Sequence, residues 1–187
     1  MQSNRTSGYA VFVHLAAAAL AVMVLLVSSE NRRLEAQLRQ ANTVEAGIDA
    51  GAPLPEVTVA DLAGRESQVT YQAGSPASVF LVFDPTCGSC NENLPRWQEL
   101  YERYKDDYRF IGVSLETVES TQVYAEANGL PYPIVVPRDS AGFISSYGIN
   151  RVPMTLVADS EGFAVEARVG VLPEAYAEDF GERVPAS

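Results

Sequence analysis

Apolar positions divide the chain into one long unbroken run and a series of short runs. The long run, Gly8 to Val27, matches the roughly 20 residues that cross a bilayer as a helix. The short runs alternate between strand-like and helix-like spacing. Glu56–Val59 and Gln68–Tyr71 are predicted as short strands around a turn at Asp61–Arg65. Ser78–Phe83 has no polar break, as expected of a strand buried on both faces. Ser89–Lys105 places Leu94, Trp97, Leu100, Tyr101 and Tyr104 on one helical face. A strand over Tyr108–Ser114 and a helix over Val118–Asn128 follow, the helix closed by Gly129. Ile134–Val136 is predicted as a strand and Ala141–Tyr147 as a short helix. Met154–Ala158 and Phe163–Val169 form a hairpin around Asp159-Ser160-Glu161-Gly162. Glu174–Arg183 is predicted as a closing helix. Alternating strands and helices, ending in a hairpin and a helix, predict a layered α/β sandwich with a mixed sheet.

The long run is read as an uncleaved membrane anchor, because a cleaved leader has a shorter apolar core of about 7–15 residues. Tyr9 suits one interface, and His14, the sole histidine, is read as a neutral residue reaching toward the headgroups. Arginines 32, 33 and 39 follow the run and only Arg5 precedes it. Taken alone, that bias places the C-terminal part in the cytoplasm. Leu34 and Leu38 give Glu30–Gln40 a helical extension. Ala41–Pro55, with Gly47, Gly51, Pro53 and Pro55, reads as a linker. The expected organisation is a tail at 1–7, a transmembrane anchor at 8–29, a juxtamembrane helix and linker at 30–50, and a folded domain at 51–187.

Composition narrows the function. A formal charge of −11 makes nucleic acid an unsuitable partner. With its one histidine inside the apolar run, the rest of the chain can assemble no Cys-His or Ser-His pair. Two cysteines alone are too few for the usual zinc ligand sets, so no metal and no cofactor are expected.

Those two cysteines form Cys87-Gly88-Ser89-Cys90, directly after the buried strand and at the predicted start of a helix. A helix N-terminus offers unpaired N–H groups and a partial positive charge, which favour a thiolate on Cys87. Cys90, one turn on, is placed to resolve a mixed disulfide. A purely structural disulfide across so short a loop would stabilise almost nothing. Ser89 and the helix amides are candidates to hold the thiolate. Pro95 falls inside the helix, and a kink is expected there. Val152-Pro153 precedes a strand, where proline belongs at a start or bulge.

Four motifs occur in order: Gly51-Ala52-Pro53-Leu54-Pro55 with Asp61-Leu62-Ala63-Gly64; Cys87-Gly88-Ser89-Cys90 with Leu94-Pro95; Tyr147-Gly148-Ile149-Asn150-Arg151-Val152-Pro153-Met154-Thr155; and Asp159-Ser160-Glu161-Gly162. Together, from about Gly51 onward, they resemble the membrane-anchored TlpA-like thiol–disulfide oxidoreductases of the thioredoxin superfamily. The resemblance implies a thioredoxin-like three-layer sandwich with a mixed central sheet. It implies that Pro153 is cis and faces the cysteines, with Val152 and Pro153 offering backbone to a substrate peptide. It also implies a single-pass protein of the inner (cytoplasmic) membrane with its domain on the periplasmic side, against the charge bias. The implied activity is reduction of exported protein disulfides, in some relatives during cytochrome c maturation, with electrons from a membrane partner.

The chain departs from that pattern. Thr86 replaces a tryptophan, Ser89 a proline, and Asn93 a buried glutamate three residues after the second cysteine. Leu81 stands where thioredoxin has its buried acid. Asp84 and Glu92 remain as candidates for proton handling; a solvated carboxylate beside a loop is an equal reading for both. Loss of the acid motivates an alternative, a redox-inactive or weakly active binding or chaperone-like module. A peroxidase of the peroxiredoxin kind requires Pro-x-x-x-Thr-x-x-Cys, and Asp84-Pro85-Thr86-Cys87 does not have that spacing.

Overall fold

The computed structural model describes residues 14, 17, 18, 20–28 and 46–184. The chain divides into two units, Met1–Asn42 and Thr43–Ser187. In the first, residues 20–28 are helical, with the side chains of Leu20 and Val22 to Val27 exposed. Among the described residues no helix is long and apolar enough to cross a membrane. The span expected over 8–29 falls partly, and the extension expected over Glu30–Gln40 entirely, outside the described residues.

In the second unit seven strands form one sheet: β1 Val57–Asp61, β2 Glu66–Val69, β3 Ser78–Phe83, β4 Arg109–Ser114, β5 Ile134–Pro137, β6 Met154–Ala158 and β7 Ala164–Val169, in the order β2-β1-β5-β4-β3-β6-β7. The inner strands β5, β4 and β3 are parallel, and the other pairings are antiparallel. The mixed sheet expected from the sequence is therefore present.

β3 is completely buried because it feeds two cores at once. Side chains alternate across a strand. Val79, Leu81 and Phe83 face helices α1 (Gly88–Tyr104) and α2 (Val118–Asn128), packing with Trp97, Leu100 and Tyr124. Phe80 and Val82 face the opposite side, with Phe143 of α3 (Ser140–Ser146), Tyr147 and Met154. Helices on both faces of one sheet make the three layers. Gly129 ends α2 in the left-handed region at φ 58°, as its place after the helix predicts.

Three expectations are corrected. First, β2 begins at Glu66, two residues before its predicted start. The Asp61 carboxylate accepts from Ala63 N, Arg65 N and Arg65 Nε, closing the turn early and pairing Ala60 with Glu66. Second, the stretch read as a linker lies against this unit from Gly47 on. Gly47 N donates to Gly148 O at 3.0 Å, Gly51 N to Ala164 O at 2.7 Å and Leu54 N to Gly162 O at 2.7 Å. Third, the closing helix is two pieces, a 3₁₀ turn at Glu174–Ala177 and the short α4 at Phe180–Arg183. A continuous helix would bond Gly181 N to Ala177 O. Here the Tyr104 hydroxyl stands between them, donating to Ala177 O at 3.1 Å and accepting from Gly181 N at 3.2 Å.

Candidate active site

β3 ends at Phe83, and four residues later Cys87 caps α1. The intervening turn is shaped by Asp84. Its carboxylate accepts from the Thr86 N–H and hydroxyl, both at 2.7 Å, and its backbone oxygen accepts from Cys87 N at 3.0 Å. This is the local bonding by which Asp favours turns. Asp84 therefore builds the loop that presents Cys87.

Cys87 has extended backbone angles, φ −83° and ψ 115°, as an N-cap does. A helix cap normally uses a side-chain oxygen to satisfy an orphan amide. Here sulfur takes that place, accepting from Cys90 N at 3.3 Å, and the Ser89 hydroxyl lies 3.2 Å from the same atom. Cys87 is partly exposed, whereas Cys90 is completely buried, and both are thiols. Burial is the largest influence on the Cys87 thiol and pushes its pKa up. The hydrogen bonds from Cys90 and Ser89 together outweigh it and hold the value below the ordinary thiol range. For Cys90, burial raises the pKa well above that range. Its hydrogen bond with Cys87 adds to the rise, and the charge of Asp84 contributes last. The two thiols thus differ in the direction exchange chemistry requires: one exposed and easily ionised, one protected until the first has reacted.

The Val152–Pro153 peptide is cis. Val152 O lies 3.8 Å from Cys87 Sγ and accepts from the thiol, so this segment sits across from the dithiol. Val152 is half-buried and Pro153 buried; Pro153 O is held by Gly170 N at 2.8 Å. Of the two proposed proton-handling carboxylates, Asp84 is engaged by Thr86 and Glu92 stands on the exposed side of α1.

Residues 50–167 match the AhpC/TSA family, well over half of the chain. The chain belongs to that family. It is 32% identical over 123 residues to Thiol-disulfide oxidoreductase ResA of Geobacillus thermodenitrificans, covering 64% of this chain and 69% of that protein. It is 30% identical over 138 residues to ResA of Halalkalibacterium halodurans, covering 72% and 77%. Among solved structures, a putative thiol:disulfide interchange protein DsbE from Chlorobium tepidum superposes with TM-score 0.61 at 19% identity, over 73% of this chain and 95% of that one. StoA from Bacillus subtilis gives 0.56 at 19% identity, over 71% and 98%. This AhpC/TSA-family chain is a protein disulfide oxidoreductase with a thioredoxin-like fold.

Two residues beside the cysteines were not singled out for these contacts on sequence grounds. Tyr124, on α2, stacks on Phe83 with ring centroids 5.3 Å apart and donates to Asn91 Oδ1 at 2.7 Å. Burial, then the charges of Cys90 and Cys87, push its hydroxyl up to about 12. Nothing in the sequence separates it from the other core tyrosines. Asn93, noted only as a departure from the family pattern, is fully buried, and its Oδ1 accepts from Leu172 N at 2.8 Å. The signal that could have found it is its spacing, one turn beyond Cys90 on the buried side of α1.

Proposed function

We propose that this oxidoreductase reduces disulfides of exported proteins, with Cys87 as nucleophile and Cys90 as resolving thiol. The observation that carries the reading is the contrast between the two sulfurs: Cys87 Sγ accepts from the Cys90 amide at the open start of α1, and Cys90 is buried behind it. The Cys87 thiolate attacks one sulfur of the substrate disulfide. That bond breaks, the distal sulfur leaves as a thiolate, and a Cys87–substrate disulfide forms. Cys90 gives its proton to water as it attacks Cys87 Sγ; the Cys87–substrate bond breaks and the second substrate sulfur leaves as a thiolate. Two electrons pass to the substrate and the chain is left with a Cys87–Cys90 disulfide. Val152 and Pro153 offer a backbone edge to the substrate peptide during the first step.

The Gly8–Val27 run supports a single-pass anchor, and the resemblance to the TlpA-like oxidoreductases, against the arginine bias, supports the cytoplasmic membrane with the thioredoxin-like unit on the periplasmic side. There a membrane-embedded dithiol donor would return the pair to its reduced state. Cytochrome c maturation is the process in which such a reductase fits.

The deciding experiment is the reduction potential of the pair in the full chain, held in detergent and equilibrated with a dithiothreitol series. A value near thioredoxin's, about −270 mV, is expected of a reductase, and one near about −120 mV would make it an oxidant. Absence of any reversible couple would leave the binding-module alternative. Labelling of Cys87 in intact cells by a membrane-impermeant thiol reagent is the expected sign of the exported orientation.

A further inference from the structure

Asn93 is a completely buried amide whose two polar atoms fare differently. Oδ1 accepts from Leu172 N at 2.8 Å, while Nδ2 is buried with no partner among the described residues. An orphaned buried donor is unfavourable, so the residue is not explained by packing alone. Its acceptor lies on a path that returns to the nucleophile. From Leu172 the chain runs back two residues to Gly170, whose N–H donates to Pro153 O at 2.8 Å. Pro153 is joined to Val152, whose carbonyl accepts from Cys87 Sγ at 3.8 Å. Cys87 begins the helix on which Asn93 stands. The circuit from α1 through the 170–172 loop and the cis-proline segment back to α1 is closed by three hydrogen bonds, of which Asn93 makes the only one from a side chain other than cysteine.

We propose that Asn93 is a positioning residue for protein substrates: it fixes the 170–172 loop and through it the height of the Val152–Pro153 edge above Cys87. The inference rests on the reading of Cys87 as nucleophile and of Val152–Pro153 as the peptide-pairing edge. Met154, the next residue, is fixed by pairing with Val82 and Val169, so the Asn93 bond sets the 170–172 loop and the Gly170 contact to Pro153 O; without it a peptide paired to the edge meets the sulfur out of line. A small disulfide needs no edge and is insensitive to the change. A neutral amide supplies the acceptor without placing a charge beside Cys90, where an anion would oppose ionisation of the resolving thiol.

The test isolates the first step in a full-length Cys90→Ser background, where the mixed disulfide accumulates. Its rate is measured with a peptide disulfide and with Ellman's reagent, and their ratio is compared across variants. Asn93→Leu removes both amide atoms at similar volume, Asn93→Ala removes them with a cavity, and Asn93→Asp keeps an oxygen toward Leu172. The expected result is a peptide rate lower by about two- to tenfold in the Leu and Ala variants, the range for one lost hydrogen bond. The Ellman rate should be unchanged and the ratio restored in the Asp variant. An unchanged ratio in either folded acceptor-less variant overturns the inference, and so does an equal fall in both rates, which would mean the thiol itself was disturbed. A measurement on the Cys90→Ser protein alone covers failure of the variants to fold. Capturing the peptide should slow hydrogen exchange at Leu172 N–H, since coupling between two sites is reciprocal, and no slowing overturns the inference. If the chain with both cysteines reduces no peptide disulfide at all, the nucleophile reading fails instead, independently of Asn93.

Discussion

At the start of α1 an orphan amide ends on a sulfur atom, whereas at the other end of the same helix the contacts are made by groups that do no chemistry. Cys90 N donates to Cys87 Sγ, an atom that must leave that bond when it attacks. Seventeen residues after Cys87, Tyr104 bridges Ala177 O and Gly181 N, and Arg103 Nη1 donates to Ala177 O at 2.9 Å. Around them Tyr104, Tyr108 and Phe180 form an aromatic group with centroids 5.1–5.8 Å apart. The difference shows how one helix serves two purposes. Its closed end fixes α1 against the terminal segment, so the open end can be capped weakly by the reacting atom without the helix losing its place.

The comparison is broken most severely at the open end. Cys87→Ser should reduce disulfide exchange to background, a loss of roughly 10³-fold or more, because an alcohol at its ordinary pKa provides almost no anion. The serine hydroxyl can still cap Cys90 N, so urea unfolding should show little change. Cys90→Ser should instead complete the first step and stop, with the mixed disulfide visible as one substrate mass added to the protein. Exchange by Cys87→Ser at anything near the wild-type rate would show that Cys87 is not the nucleophile.

At the closed end the expected effect is on stability and not on rate. Tyr104→Phe keeps the ring in its aromatic group but removes the hydroxyl that both donates and accepts. Gly181 N then loses its partner while Ala177 O keeps Arg103. The loss should be about 1–2 kcal/mol in urea unfolding, with exchange within about twofold of wild type. A parallel loss of exchange would show that the two ends of α1 are coupled.

The same division governs what could be read in advance. Features fixed by local sequence were legible: the doubly buried β3, the Gly129 cap of α2, the Asp159 turn, and the cysteine pair at a helix start. The cis Val152–Pro153 bond was expected from the family resemblance, and the structure has it. Features fixed by distant partners were not legible. The break after Ala177 depends on Tyr104, which contacts it from across the fold. The strap from Gly47 to Leu54 has the composition of a linker, and distant partners give it an ordered place: the carbonyls of Gly148, Gly162 and Ala164, the Ala164 N–H on Ala52 O, and the core that buries Leu54. Asn93 looked like a missing acid, because its link to Leu172 spans 79 residues and leaves no periodic trace. Asp84, a proton-handling candidate together with Glu92, shapes the loop through Thr86 and its charge also acts on Cys90; proximity in sequence alone does not separate the two roles.

The mildest perturbation tests the open end by a single hydroxyl. Ser89 lies 3.2 Å from Cys87 Sγ and is one of the groups holding that thiol below its ordinary range. Ser89→Ala removes that donor but leaves the Cys90 amide in place, so the Cys87 pKa should rise. Because Ser89 is exposed, water replaces part of what is lost. Iodoacetamide alkylation of Cys87 near neutral pH should slow by about two- to threefold, and its pH profile should move to higher pH without a change in the plateau. The sign carries over to stability. A thiol whose pKa is lowered by folding stabilises the reduced chain above its unfolded pKa, and that contribution is lost as pH falls through the folded value. Cys90, whose pKa is raised, acts in the opposite sense, favouring the fold until pH rises past its unfolded value. Reduced wild type should therefore lose part of the Cys87 contribution on the acid side of the thiol range, and Ser89→Ala should have less of it to lose. If alkylation by the variant instead matches wild type at every pH, the Ser89 hydroxyl does not hold the thiolate, and the Cys90 contacts and the helix amides at the open end of α1 do so without it.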